Sequence, residues 1–171
     1  NGIHQYYQEH VENNRVDIYF HIVGTGNDVR ALKKIVENYN LGKYVLFHGT
    51  KDGKVLDEIY NMCQIAVGPL GWHRKGIYEG AALKTREYCA RGLPFILSHK
   101  DRDFPNEFPY ALQFSMNDLP VDMEEIIKFY EKIYRDNDFQ IKMREYAEKN
   151  LTWQVKLQPV INRLFPTSVK D

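Results

Sequence analysis

The sequence predicts an α/β protein of three layers, with a mostly parallel β-sheet between two layers of helices. Short apolar runs that contain many β-branched residues alternate along the chain with helical patterns of roughly ten residues. Helices of this length between such strands favour parallel pairing through right-handed crossovers. A doubly wound sheet of this kind binds ligands beyond the carboxyl ends of its strands. The sequence therefore predicts a ligand site on one rim of the sheet.

The elements can be assigned in chain order from their periodicity. The predicted strands are short apolar runs at residues 18–23, 45–48, 65–67, 94–98 and 111–114. A polar helix is predicted at residues 3–14, and further helices at residues 28–39, 54–63, 83–91, 122–135, 138–149 and 152–164. Thr152 is the predicted N-cap of the last helix. The apolar residues that share one face of the second helix are Val29, Leu32, Ile35 and Val36.

The composition excludes several classes of function. Lys+Arg and Asp+Glu are equal at 23 each, so the net charge gives no case for a nucleic-acid partner. No apolar run approaches the ~18 residues that span a bilayer, and the first residues show no signal-peptide pattern. The 171 residues suffice for one domain of ordinary size. The chain begins with Asn1 rather than Met, so we expect a fragment of a longer protein.

The cysteines predict neither a disulfide nor a zinc site. Cys63 and Cys89 lie within or beside helical patterns and lack the spacing of metal ligands. We interpret both as reduced, packed thiols of a cytosolic protein.

Residues 79–87 have a carboxylate at each end of a segment that begins with a turn of small residues. A turn that enters a helix presents unpaired N–H groups and the positive end of the helix dipole, which together favour a phosphate or diphosphate. If the helix begins near Leu83, Glu87 lies one turn in, and its side chain leans back toward the phosphate, where it suits a ribose diol. Glu79 stands on the loop, where it can meet the group attached to the far side of the phosphate.

The segment from Glu79 to Glu87 has the pattern E-G-x-x-L-x-x-x-E, and A-x-G-L-P-x-I follows it. This pattern resembles the donor-site signature of the group 1 retaining glycosyltransferases, which have two Rossmann-like domains in the GT-B architecture. The strand ends at residues 20–26 and 45–49 are similar to strand ends of that family's C-terminal domain, and the first of them carries a glycine pair. The resemblance covers residues 2–165.

The resemblance implies a Rossmann-like α/β/α domain over residues 1–171, the donor-binding C-terminal half of a GT-B enzyme. The first strand and the acceptor-binding N-terminal domain would be absent. The helix at 152–165 would cross toward that missing domain, so we expect it to carry exposed apolar surface. The intact enzyme would transfer a hexosyl group from a UDP- or GDP-linked sugar to a saccharide or lipid-linked acceptor, with retained configuration. The fragment alone would be inactive.

The resemblance also implies where such an enzyme works and what it needs. No metal and no cofactor are expected, since the nucleotide sugar is a substrate. The intact enzyme would be cytoplasmic, with peripheral association at the inner face of the membrane. Bacterial surface-polysaccharide assembly would be an ordinary setting for such a family member.

The resemblance further implies which residues form the donor site. Glu79 would take the catalytic role beside the transferred sugar, and Glu87 would bind the ribose. The backbone of the loop would bind the phosphates, and strand ends would hold the base. The implied donor-binding residues are Gly80, Ala81, Ala82, Leu83, Lys84, Glu87, Thr50, Lys51, Gly24 and Gly26.

Several of these residues also have a purely structural explanation. Gly24 and Gly26 suit a tight strand-to-helix turn that needs positive φ. A dinucleotide fingerprint is disfavoured there, because Val29 stands where the third glycine would be. Glu87 can also form an ordinary surface pair with Arg91 at i+4.

Charged residues in and around the motif allow further functional interpretations. Lys84 and Arg86 lie in the first turn of the helix, where cations are unfavourable unless an anion is bound, and Lys84 is the better candidate ligand. Residues 101–103 match a D-x-D metal motif, but we interpret them as a solvated loop. The basic, aromatic loop at 71–76 either closes over the diphosphate, meets the acceptor or is a mobile surface loop.

Two other functions remain open at this stage. A nucleotide-sugar epimerase can share the same architecture, and it would act on the donor without an acceptor. The other is a non-catalytic nucleotide-binding or interaction module. Failure to bind any nucleotide, together with tight binding of a protein partner, would favour it.

Overall fold

The computed structural model of the chain describes residues 1–10 and 15–165. The strands of this part are β1 (Phe20–Val23), β2 (Val45–Gly49), β3 (Ala66–Val67), β4 (Phe95–Leu97) and β5 (Ala111–Gln113). The helices are α1 (Gly2–Glu9), α2 (Val29–Asn38), α3 (Gly53–Met62), α4 (Leu83–Arg91), α5 (Met123–Ile133), α6 (Phe139–Asn150) and α7 (Trp153–Leu164). The chain forms two compact units. The first consists of Asn1–Cys63 and Leu119–Ile127, and the second of Gln64–Asp118 and the chain from Lys128 onward.

The first unit is built on one parallel strand pair. β1 and β2 align Phe20 with Val45 and Ile22 with Phe47, and the register shifts between Ile22 and Val23. α2 connects these strands in the chain, as parallel pairing requires a crossover. The buried residues at the centre of this unit's core are Leu41, Tyr44 and Val45.

The apolar face of α2 is less buried than its periodicity predicts. Leu32 and Ile35 are 39% and 43% exposed, whereas Val36 packs against the core of the first unit. A pair of strands spans about 10 Å or less across its hydrogen bonds, which is too narrow to cover the whole face of a helix. The predicted face is present, and the described part of this unit leaves much of it in solvent.

The second unit is built on three parallel strands in the order β3, β4, β5. Phe95 pairs with Ala66 on one side and with Ala111 on the other, so β4 is the central strand. α4 connects β3 to β4 and packs against α6. The residues of β4 are at most 2% exposed. Every strand pair among the described residues is parallel, which confirms the predicted kind of pairing.

The predicted elements are present, and most of their ends move by one or two residues. The first helix is the exception. α1 ends at Glu9 because His10 takes extended backbone, and residues 11–14 of the prediction lie outside the described residues. The predicted N-cap at Thr152 is confirmed, since its hydroxyl accepts a hydrogen bond from the Val155 N–H at 3.3 Å.

Helix α7 is exposed along its whole length. Its apolar residues Trp153, Val160, Ile161 and Leu164 keep between 44% and 74% of their surface in solvent. The expected exposed apolar surface is therefore present on this helix. The domain that would cover it stays a prediction.

Cys89 lies in the centre of the second unit, fully buried, and its thiol donates to the Met143 carbonyl at 3.3 Å. Burial raises the pKa of Cys89 to about 12, against a smaller lowering effect of nearby Arg86. Burial also raises the pKa of Cys63, which is only partly buried. The interpretation of Cys89 as a packed thiol is confirmed.

The glycines that end two helical segments offer a matched stability test. Gly92 ends α4 with φ 71° and Gly76 ends the 3-10 helix Trp72–Lys75 with φ 70°. Gly76→Ala should cost about 1 kcal/mol, the ordinary penalty for a Cβ in left-handed backbone. Gly92→Ala should cost clearly more, because its Cβ would also lie 3.0 Å from Gln140 atoms, whereas nothing lies within 4 Å of a Cβ at position 76. Denaturant unfolding of both variants measures the difference, and equal losses would contradict it.

The thiols should differ in reactivity. The thiolate is the reactive form, so the raised pKa of Cys89 should leave about one thiolate in 10⁴ at pH 8. In an Ellman titration of the native protein at pH 8, Cys63→Ser should abolish the early reaction and Cys89→Ser should leave it unchanged. Full reaction of Cys89 before unfolding would contradict the packing described.

Candidate functional site

The loop that enters α4 is paired with the segment that follows β4. Glu79 and Lys100 form a parallel β-bridge. The Lys100 N–H donates to the Tyr78 carbonyl at 2.9 Å, and the Gly80 N–H donates to the Lys100 carbonyl at 3.0 Å. α4 begins at Leu83, as predicted, so the loop is fixed directly before the helix N-terminus.

Only some of the backbone N–H groups predicted to bind a phosphate are free of other hydrogen bonds in the described part of the chain. The Gly80 N–H is used by Lys100, so the prediction that it binds a phosphate does not fit this conformation. The N–H groups of Ala81, Ala82, Leu83 and Lys84 have no acceptor within the described residues, as the first N–H groups of a helix do. The run of unbonded N–H groups before and in the first turn of α4 therefore begins at Ala81 rather than at Gly80.

Glu79 is held by cations on the neighbouring segment. Its carboxylate pairs with the Arg102 guanidinium through Oε1 and lies 3.8 Å from the Lys100 Nζ through Oε2. The Glu79 side chain is 38% exposed, and Lys100 and Arg102 are more exposed still. Neither cation is part of the motif at residues 79–87, and nothing in the sequence pattern pairs them with Glu79.

Glu87 lies one turn into α4, as predicted. Its Oε1 accepts a hydrogen bond from the Arg91 Nε at 3.0 Å, the i+4 surface pair that competes with a ribose contact. The Glu87 side chain is 44% exposed, so the carboxylate is accessible to a ligand. Its role in ribose binding stays a prediction.

Arg86, Asp101 and Asp103 form a largely buried ionic network, which corrects two interpretations of the sequence. Arg86 binds both carboxylate oxygens of Asp101, at 2.7 Å for Nη2 and Oδ1, and also pairs with Asp103. The Asp101 side chain is 1% exposed and that of Arg86 is 14% exposed, so the two aspartates of the D-x-D match are not solvated loop residues. Lys156 of α7 also pairs with Asp103. Arg86 is therefore committed to these carboxylates and is a poor candidate for binding phosphate.

The charges of this network change the pKa of Asp103. Burial raises the pKa of Asp103, but hydrogen bonds from Lys156 and Arg86 outweigh that effect and leave the pKa below its usual value. Asp103 is thus held as a carboxylate by cations of this chain. Among the described residues, no group of three or more His, Cys, Asp or Glu side chains is arranged to hold a metal ion.

Trp72 lies against the loop at Gly80. A Cβ at position 80 would come within 2.7 Å of the Trp72 ring, so glycine is required there for the close approach. The Trp72 ring also contacts the ring of His99, with centroids 4.2 Å apart. His99 is fully buried, and neither of its ring nitrogens has a hydrogen-bond partner within the described residues.

The loop at 71–76 forms a short 3-10 helix over Trp72–Lys75. His73 Nε2 and Arg74 Nε both bind Asp118 Oδ1, at 3.0 and 2.6 Å. Hydrogen bonds from Arg74 and His73 lower the pKa of Asp118. The loop is thus attached at two points, through Trp72 and through Asp118, and its contact with diphosphate or acceptor stays a prediction.

Four of the predicted donor-binding residues lie in the first unit. Gly24 has φ 123°, and its N–H donates to the Gly49 carbonyl at 2.8 Å, so it serves the strand-to-helix turn. Gly26 does not have positive φ and accepts a hydrogen bond from the Val29 N–H at 3.2 Å. Thr50 joins this turn through its hydroxyl, 3.3 Å from that of Thr25. The predicted ligand contacts of Gly24, Gly26, Thr50 and Lys51 stay predictions, as does their placement on one rim with residues 79–83.

Sequence reasoning did not foresee a histidine pair on this sheet. His21 of β1 and His48 of β2 have parallel rings, with Nδ1 of the first 3.0 Å from Nε2 of the second. Burial, and then the neighbouring His48, lower the pKa of His21. The only available signal was the strand register, which becomes known once β1 and β2 are aligned.

The solved structures most informative for comparison are glycosyltransferases. The pneumococcal O-GlcNAc transferase GtfA, solved in complex with UDP and GlcNAc, matches 85% of this chain with a TM-score of 0.56 and 18% identity. Sucrose-phosphate synthase from Thermosynechococcus elongatus matches 85% of this chain with a TM-score of 0.60 and 22% identity. These matches confirm the predicted Rossmann-like α/β fold. The chain spans 29% and 38% of the length of these two proteins.

The family follows from a second comparison. The family model of glycosyl transferases group 1 matches residues 3–150, which is most of the chain. The protein therefore belongs to the group 1 glycosyl transferases, as its motif predicted. No curated protein matches the chain. No helix among residues 1–10 and 15–165 has the length and apolar character needed to cross a membrane.

The ion pair between Arg86 and Asp101 should dominate the stability of this site. Arg86→Met should destabilise the protein by about 3–5 kcal/mol, because it leaves a buried carboxylate without its partner. The double variant Arg86→Met/Asp101→Leu should recover most of that loss. Lys149→Met is the surface control: it breaks an exposed i+4 pair with Glu145 and should cost at most about 1 kcal/mol. Denaturant unfolding measures all three, and an Arg86→Met loss as small as the control would contradict the role given to the pair.

Proposed function

We propose that this chain is the donor-binding part of a glycosyltransferase and binds a nucleotide diphosphate sugar. The observation that carries the proposal is the N-terminus of α4, where four successive N–H groups from Ala81 to Lys84 lack acceptors within the described residues. A carboxylate stands on either side of them, Glu79 before the helix and Glu87 one turn in. Membership of the group 1 family supports the same function.

Each part of this loop has a role in the proposal. The N–H groups and the dipole of α4 bind the diphosphate, and the exposed Lys84 adds a positive charge beside them. Glu87 releases Arg91 or shares it, and accepts hydrogen bonds from the ribose. Glu79 contacts the transferred sugar. Gly80 contributes through its lack of a side chain, since its N–H is already bonded.

Catalysis in this proposal is mainly positioning and charge stabilisation. The diphosphate leaves with negative charge, and donors already aimed at it stabilise that charge without reorganisation. The proposed products retain the anomeric configuration of a hexosyl donor, and no metal is required. In the first unit, Thr50 and Lys51 are proposed contacts of the base, and Gly24 and Gly26 are weaker proposed contacts of the donor.

The acceptor is proposed to bind elsewhere in the intact protein. The structural relatives are considerably longer than this chain, and the exposed apolar side of α7 supports the presence of a further covering surface. A saccharide or lipid-linked acceptor, peripheral membrane association and cytoplasmic location all belong to this proposal. We expect the chain alone to bind donor without transferring sugar.

Calorimetric titration with UDP, GDP and ADP tests the proposal. We expect saturable binding of one nucleotide by the chain. Glu87→Ala should weaken it by about 1.5–3 kcal/mol, roughly tenfold or more, because a hydrogen bond to a charged group is lost. Glu145→Ala is the matched control, since Glu145 also forms an exposed i+4 pair, with Lys149 at 3.7 Å, and should leave affinity unchanged.

The outcomes separate donor binding from an interaction module. Weakening by Glu87→Ala alone supports the donor site and identifies the base. Binding that neither variant changes would place the nucleotide elsewhere and contradict the proposal for Glu87. Binding of no nucleotide would contradict donor binding by this chain and favour an interaction module.

A further inference from the structure

Two exposed cations converge on the carboxylate that the proposed function places beside the sugar. Arg102 pairs with Glu79 Oε1, and the Lys100 Nζ lies 3.8 Å from Glu79 Oε2. The Lys100 and Arg102 side chains are 70% and 79% exposed, against 38% for Glu79. Both cations are therefore accessible to a ligand that reaches this carboxylate.

The backbone beneath these side chains is fixed. The β-bridge between Glu79 and Lys100 joins the two segments, with hydrogen bonds of 2.9 and 3.0 Å on either side. Between the two cations, the Asp101 side chain turns inward and is bound by Arg86. Lys100 and Arg102 are thus presented from an anchored turn rather than from a loose loop.

The local charge is positive although the chain as a whole is neutral. Asp101 and Asp103 are neutralised by Arg86 and Lys156 in the network below. Glu79 carries one negative charge against two positive charges above it. An exposed ion pair contributes little, about 0–1 kcal/mol, so a stronger anion can displace Glu79 from either cation.

We propose that Lys100 and Arg102 bind an oxyanion of the donor on the Glu79 side of the loop, and that Glu79 occupies them until the donor binds. This inference rests on the proposed donor function. A guanidinium suits such a group, because its fork of N–H donors matches phosphate and carboxylate oxygens. The oxyanion comes from the distal phosphate or from a carboxylate on the sugar. Binding of the donor transfers the cations to that oxyanion and leaves Glu79 to contact the sugar.

The test compares Lys100→Gln/Arg102→Gln with the wild-type chain by calorimetry. The ligands are UMP, UDP, UDP-glucose and UDP-glucuronate, or GMP, GDP, GDP-mannose and GDP-mannuronate if guanine is the base found. Lys149→Gln is the control, because Lys149 is 74% exposed and lies 3.7 Å from its carboxylate partner, much as Lys100 does. Circular dichroism verifies folding, and Glu79→Gln provides a variant that frees the cations instead of removing them.

If the oxyanion is the distal phosphate, the double variant should bind the nucleoside diphosphate about tenfold or more weakly than the wild-type chain does, and should bind the monophosphate with unchanged affinity. Glu79→Gln should then bind the diphosphate more tightly than the wild-type chain does. If the oxyanion is a carboxylate on the sugar, the double variant should lose affinity only for the nucleotide-linked hexuronate. Equal affinities of the double variant and Lys149→Gln for every ligand would overturn the inference while leaving the proposed function intact if Glu87→Ala still weakens binding. Failure of the wild-type chain to bind any nucleotide would overturn both.

Discussion

The buried ion pair between Arg86 and Asp101 holds together the segments that form the candidate site. Arg86 lies in the first turn of α4, whose N-terminus presents the unbonded N–H groups. Asp101 lies on the turn that presents Lys100 and Arg102 to Glu79. A pair this deeply buried is favourable only when its hydrogen bonds are complete, and here both carboxylate oxygens of Asp101 are bound. The placement of the α4 N-terminus relative to the turn that carries Lys100 and Arg102 depends on this pair.

The parts of the site that the sequence predicted are those with local causes. The start of α4 at Leu83 and the position of Glu87 one turn in follow from helix spacing and the small residues before the helix. The parallel strand pairing followed from the length of the helices between apolar runs. The exposed face of α2 was not foreseeable, because periodicity shows which residues share a face but not how wide the sheet beneath it is.

The parts that the sequence did not predict depend on contacts distant in the chain. In the sequence, Asp101 and Asp103 have the pattern of an ordinary polar loop. Their ion pairs with Arg86 join residues fifteen and seventeen positions apart, so no local pattern predicts them. The Gly80 N–H looked available until Lys100 was found opposite it. The requirement for glycine at position 80 comes from Trp72, eight positions earlier, and no local pattern indicates that approach. In each case a tertiary partner changed the chemical role of a residue whose type was known.

The two tryptophans of the chain occupy very different surroundings. Trp72 is partly buried and lies close to His99 and to Gly80, whereas Trp153 is 74% exposed at the start of α7. Their indoles are therefore intrinsic optical reporters of separate events. Emission from Trp72 is sensitive to any ligand that moves the loop, and emission from Trp153 is sensitive to any surface that covers α7. A soluble quencher such as iodide distinguishes the two signals, because it reaches the exposed indole first.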